Sequence, residues 1–205
     1  MENKLKYSLI TINREYAAYG HTIAGALSER LGLPYYDKDF IEETAKASGY
    51  DKEEIAREGE DMSRSSKFMN SLLNNATVYS SSYDNIFLAQ REVIINLSKQ
   101  PCIIVGRCSD FVLKEAGIPR FSIFLYADWE TRLKRAFQLE ENQDRDLKNV
   151  AKYISRRDIM RKTYYKEYTR HDMDDCRNYN LALDVGTLGV DCCVDMICRA
   201  VMEDK

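Results

Sequence analysis

The sequence predicts an α/β fold in which a parallel sheet is covered by helices on both faces. Two observations predict it: short β-prone apolar runs recur along the chain, and segments with helically spaced apolar residues separate them. With 205 residues, 44% hydrophobic and 31% charged, the chain is long enough to bury one sizeable core.

Lys6 to Ile12 reads as a central strand, and the turn after it leads to a helix opening on Gly20. Along that helix Ile23, Ala24, Leu27 and Leu31 recur at helical spacing, and Gly32 stands where a helix-ending glycine belongs. Pro34-Tyr35-Tyr36 is a brief β-prone stretch, and Asp37 is a natural N-cap for a helix over Lys38 to Ser48. From Tyr50 to about Ser82 the chain turns polar, with sparse apolar residues such as Phe68, Leu72 and Leu73, which predicts a small helical insertion. Tyr83 to Leu97 reads as a helix returning to the core. Strands follow at Cys102 to Val105 and Phe121 to Tyr126, and Asp128 caps a helix over Trp129 to Leu139. The charged stretch from Glu140 to about Asp175 has no glycine or proline and reads as helix broken by a polar turn near Asn142 to Asp146. Leu181 to Val185 is the last strand and Asp191 to Met202 the last helix.

A net charge of −3 gives no reason to expect a nucleic-acid-binding protein, since such modules usually carry a basic face, and leaves only local basic clusters open. No N-terminal leader pattern and no membrane-spanning apolar run is visible, so a cytoplasmic protein is expected. Six cysteines without a Cys-x-x-Cys pair, beside two histidines, argue against zinc; reduced cysteines packed as small hydrophobes are expected.

In open parallel sheets ligands collect beyond the carboxyl ends of the strands. The residues following the strands are Asn13, Arg14, Glu15 and Gly20 to Thr22; Asp37 and Asp39; Arg107 and Asp110; Asp128; and Asp184, Gly186 and Thr187. Cations and carboxylates converging on a strand–turn–helix junction suggest phosphate chemistry, because the helix terminus offers backbone N–H groups and a positive dipole end. The phosphate-loop fingerprint also wants a lysine after the glycine, and here His21 stands there. Simpler readings stand beside these. Gly20 and Thr22 also suit an ordinary helix start, Asp37 and Asp128 suit N-caps, and Arg156, Arg157, Arg161 and Lys162 suit a solvated helix face. His21 and His171 suit surface or capping positions.

Taken together the chain resembles the cytidylate kinase-like proteins, relatives of the nucleoside monophosphate kinases. The residues that carry the resemblance are Ile10 to Tyr16, Ala26 to Lys38, Val105-Gly106-Arg107-Cys108-Ser109-Asp110, Arg156-Arg157-Asp158 through Tyr164-Tyr165, Asn178 to Leu181, and Asp184 to Gly189. The resemblance implies a P-loop kinase fold: three layers, α/β/α, with a five-stranded parallel sheet, a helical nucleotide-binding-type insertion and a helical lid. It implies one domain over 1–205, with core 1–37, 83–137 and 176–205, insertion about 38–82 and lid about 138–170. It further implies transfer of the ATP γ-phosphoryl to CMP, dCMP or a related small acceptor, with Mg2+.

By the same resemblance Gly20, His21 and Thr22 face the ATP phosphates, with Thr22 reaching the magnesium. Asp37, Arg107 and Asp110 hold the acceptor, while Arg14, Arg157 and Arg161 act on the transferring phosphoryl. Expected partners are small-molecule nucleotides, with neither nucleic acid nor membrane, and a homodimer as an open option. The chain departs from the family pattern in the loop. Ala17, Ala18 and Tyr19 stand where relatives are glycine-rich, so positive φ is costly there. Val105 stands where an acidic residue is usual. An alternative is therefore a catalytically degenerate nucleotide- or anion-binding regulatory module.

Overall fold

The computed structural model describes residues 4–37 and 82–203. Five strands form one parallel sheet: β1 (Leu9–Arg14), β2 (Tyr35–Tyr36), β3 (Cys102–Val105), β4 (Phe121–Tyr126) and β5 (Leu181–Asp184), in the order β2-β3-β1-β4-β5. Among the described residues the helices are α1 (Gly20–Leu31), α2 (Ser82–Leu97), α3 (Ser109–Glu115), α4 (Trp129–Phe137), α5 (Leu147–Thr169), α6 (Val185–Leu188) and α7 (Val190–Val201). Short 3-10 turns cover Glu140–Asn142 and Cys176–Asn178.

The alternation of a strand's side chains builds the three layers. Ile10 and Ile12 of β1 join Ile103, Val105, Ile123 and Leu125 against Ile23 and Leu27 of α1 and Val194 and Ile197 of α7. On the opposite face Leu9 and Ile104 pack on Val93 and Ile94 of α2 and Leu113 of α3. Farther along that face Phe124 and Cys108 meet Tyr164 and Tyr165 of α5. The sheet is thus buried on both sides, as parallel sheets require.

Both ends of the first strand differ from the sequence reading, and several helix and strand ends shift by one or two residues. The first strand starts at Leu9, not Lys6, and runs on to Arg14, because β3 pairs Leu9 through Ile12 and β4 pairs Ile10 through Arg14. Lys6 and Tyr7 instead donate backbone N–H groups to the Val201 carbonyl. Helix α3 was not anticipated. The helix expected over Lys38 to Ser48 and the polar insertion to about Ser82 lie outside the described residues.

Asp128 and Asp146 cap α4 and α5, accepting from the backbone of Thr131 and Asn149, and Gly32 closes α1 as expected. Cys102, Cys108, Cys193 and Cys198 are buried, whereas Cys176 and Cys192 are exposed, so the expectation of packed cysteines holds for the first four. Among the described residues no helix is long and apolar enough to cross a membrane.

Candidate functional site at the carboxyl edge of the sheet

β1 is the central strand, so its carboxyl end opens in the middle of that sheet edge, between β3 and β4. The chain leaves it through Glu15 to Tyr19 and enters α1 at Gly20. Glu15 N–H still donates to the Leu125 carbonyl at 3.0 Å, extending the ladder by one residue before the turn. Ala17 (φ 61°) and Tyr19 (φ 58°) are both left-handed, although each carries a Cβ. No side chain caps α1, so the amides of its first turn remain available to an anion. Gly20 is needed for close approach: a Cβ there would lie 2.9 Å from Arg14 Cγ.

Arg14, Asp37 and His21 form one group at this edge. Asp37, which follows β2, receives His21 Nδ1 at 2.5 Å and lies 3.8 Å from Arg14 Nη2. His21 and Thr22 are exposed, and the His21 ring stands edge-on to Tyr35. Three of the sequence-predicted residues therefore meet, with the Asp37 carboxylate between the Arg14 guanidinium and the His21 ring.

The β3–α3 turn contributes a second left-handed run, Gly106 (φ 83°), Arg107 (φ 58°) and Cys108 (φ 55°). It delivers Asp110 to a fully buried position. One carboxylate oxygen accepts from Asn13 Nδ2 at 2.8 Å, the other from the Tyr165 hydroxyl at 2.6 Å. Asn13 Nδ2 also reaches the Tyr179 hydroxyl at 3.2 Å. Burial pushes the Asp110 carboxyl above its ordinary value and outweighs these hydrogen bonds. Asp110 thus ties β1 to α5 and the β5 approach, inside the protein beneath the edge.

From the other side, α5 brings Arg161, whose Nη1 lies 3.4 Å from the Arg14 carbonyl and whose guanidinium covers the Tyr16 ring at 5.7 Å. Arg157 lies one turn earlier, 6.0 Å from the Tyr153 ring centre. At the end of β5, Asp184 accepts from the amides of Gly186 and Thr187 and from the Thr187 hydroxyl. A Cβ on Gly186 would meet Asp128 at 2.9 Å, so these two strand ends touch.

The sequence reading missed one heavily bonded group. Arg132 of α4, 7% exposed, bonds Asp158 of α5 at 2.5 Å and approaches Glu15 at 3.3 Å. Asp158 in turn accepts the Tyr16 N–H at 2.8 Å. Burial lifts the Glu15 carboxyl above its ordinary value, while Arg132 pulls it back. An arginine in a charged helix and an aspartate among arginines carry no local mark of this pairing.

A magnesium ion usually takes one or two protein oxygens, with phosphates and water completing its shell. Among the described residues no three His, Cys, Asp or Glu side chains converge. The exposed Thr22 hydroxyl beside α1's N-terminus fits that sparse pattern as the single protein oxygen.

The comparisons agree with this architecture. The chain matches the model of the Cytidylate kinase-like family over residues 9–187. It is 23% identical over 176 residues to a cytidylate kinase from Thermoplasma volcanium, covering 85% of this chain and 81% of that one. Among solved structures, an uncharacterized protein from Eubacterium ventriosum superposes with a TM-score of 0.67 at 26% identity, covering 94% of this chain and 96% of that one. The shikimate kinase from Bacteroides thetaiotaomicron shares the fold at a TM-score of 0.56 and 10% identity, with 94% and 97% covered. With the match running from the first residue of β1 into α6, the chain belongs to the cytidylate kinase-like family and is kinase-like in type.

Proposed function

We propose that this protein is an ATP-dependent phosphotransferase that moves the γ-phosphoryl of ATP to CMP, dCMP or a related small acceptor. The observation that carries the reading is the meeting of Arg14, His21 and Asp37 at the uncapped start of α1, with Arg161 reaching the same loop from α5. Phosphoryl transfer asks little covalent chemistry of a protein; positioning and charge neutralisation supply most of the rate. Gly20, His21 and Thr22 receive the donor phosphates through the first amides of α1. Arg14 lies under that turn, and Arg157 and Arg161 close on the transferring group from α5, which acts as the lid. Asp37 and Arg107 line the acceptor side, and Asp110 fixes its floor through Asn13 and Tyr165. Thr22 would hold magnesium, which when bound spreads the negative charge of the ATP phosphates.

A coupled assay of ADP release tests the reading with a panel of nucleoside monophosphates and small hydroxyl acceptors. The expected result is acceptor-dependent ADP release that is greatest with a pyrimidine monophosphate. Release no greater than without acceptor, across the panel, refutes it.

One observation favours a second reading, a module that binds nucleotide without turnover. His21 replaces the usual lysine, and Asp37 already engages both His21 and Arg14. Calorimetric titration with ATP separates the two, since binding without any acceptor-dependent ADP release selects the module.

A further inference from the structure

We propose that Arg132 and Asp158 are positioning residues that hold the glycine-poor loop in its anion-receiving shape from outside. Two loop residues that carry side chains, Ala17 and Tyr19, lie in the left-handed region, which a Cβ disfavours. Such a conformation persists only where its surroundings over-determine it. In this chain the surroundings are α4 and α5. Both peptide groups of Tyr16, the residue before the first left-handed position, are pinned. Its N–H donates to Asp158 Oδ1 at 2.8 Å, and its carbonyl accepts from Arg132 Nη1 at 3.3 Å.

The clamp is itself held in place. Arg132 bonds Asp158 at 2.5 Å, and its Nε donates to the Ala127 carbonyl at 3.2 Å and faces Glu15 at 3.3 Å. The Tyr16 side chain is fixed as well. Its hydroxyl bonds Glu141 and accepts from Asn142 Nδ2 at 3.0 Å, and its ring stands edge-on to Tyr153. On the far side of the strained pair, Arg135 covers the Tyr19 ring at 5.0 Å. One helix hairpin thus grips the loop before Ala17 and after it. Arg132 and Asp158 are both 9% exposed or less, so they act on a ligand through the loop.

The functional consequence, which rests on the ATP-binding reading above, is that loop shape and lid position form one unit. A buried ion pair kept for stability alone would behave differently: breaking it would lower the melting temperature and leave loop order and phosphate affinity unchanged.

The experiment uses the full chain and amide hydrogen exchange, with ATP and inorganic pyrophosphate as calorimetric probes. In the wild type, the Tyr16 amide is expected to exchange as slowly as amides of β1. Exchange as fast as an exposed turn overturns the proposal, and that measurement needs no variant. In D158N and R132M, exchange over Glu15 to Gly20 is expected to rise about tenfold while β1 and α7 stay protected, and ATP affinity to fall about tenfold. Adding Ala17→Gly to R132M is expected to recover part of the lost affinity, because glycine adopts the left-handed shape unaided. A lowered melting temperature with unchanged loop exchange and unchanged affinity overturns the proposal. If the wild type binds neither ATP nor pyrophosphate, the phosphotransferase reading falls, while the exchange measurements still decide the positioning role.

Discussion

Replacing Ala17 by glycine should stabilise this protein, against the usual direction of such a change. Ala17 has φ 61°, a conformation that costs an L-residue roughly 1–2 kcal/mol and glycine very little. Against that gain stand the greater freedom of glycine in the unfolded chain, about 0.5–1 kcal/mol, and the loss of one partly buried methyl. The net expectation is a gain of about 0.5 kcal/mol, worth about 1–2 °C in melting temperature for a chain of this size. The neighbouring Ala18 supplies the control. It is 1% exposed and is not among the positive-φ residues, so A18G has only losses: unfolded-chain freedom and a fully buried methyl, about 1–2 kcal/mol together. Calorimetric melting of the wild type and both variants measures the signs side by side. If A17G lowers the melting temperature as far as A18G does, Ala17 carries no strain and the account of the loop is wrong.

Three more outcomes can be checked with the same set of methods. Gly20→Ala places a Cβ 2.9 Å from Arg14 Cγ and should weaken ATP binding about tenfold, whereas Gly25→Ala, where nothing lies within 4 Å, should stabilise α1 by about 1 kcal/mol; equal effects from both would contradict the close approach. Asp110 is lifted above its ordinary value by burial, so its contribution to stability is fully present below the ordinary carboxylate range, about pH 4, and is lost as pH rises through its folded value. The wild-type melting temperature should therefore fall relative to D110N between pH 4 and pH 7, and a rise would reverse the assignment. Burial holds the Cys102 and Cys193 thiols at about 11, so alkylation of the native protein near neutral pH should label the exposed Cys176 and Cys192 first. Early labelling of Cys102, read by peptide mass, would contradict the packing of β3.

Much of the sheet was legible in the sequence because each strand is an apolar run with a clear stop. Cys102 to Val105 ends at Gly106, and Phe121 to Tyr126 ends at Ala127-Asp128, and both strands have those limits in the structure. Helix starts were legible where an aspartate caps them, as Asp128 does for α4. Helix α3 was not, since its seven residues offer only one or two turns of periodicity after a turn that looks like a strand end.

The site was legible in part. Arg14, His21 and Asp37 could be placed together because each follows a strand or opens a helix on one sheet edge. The clamp could not. Arg132 and Asp158 are 26 residues apart and meet only when α4 and α5 fold back on each other, and their shared partner Tyr16 lies 142 residues from Asp158. Asp110 was named from the sequence, but its partners were not legible, because its oxygens reach Asn13, 97 residues away, and Tyr165. Ala17 and Tyr19 were legible as costly places for a left-handed turn, and both adopt one, at φ 61° and 58°; what local sequence could not show is the remote Arg132, whose Nη1 donates to the Tyr16 carbonyl beside them.

The most direct test of the central claim follows the γ-phosphoryl itself. Protein incubated with γ-labelled ATP, magnesium and CMP or dCMP should transfer label to the acceptor, and Arg161→Met should reduce that transfer with the fold intact. Label that stays in ATP or appears only as inorganic phosphate, whatever acceptor is offered, would contradict the account.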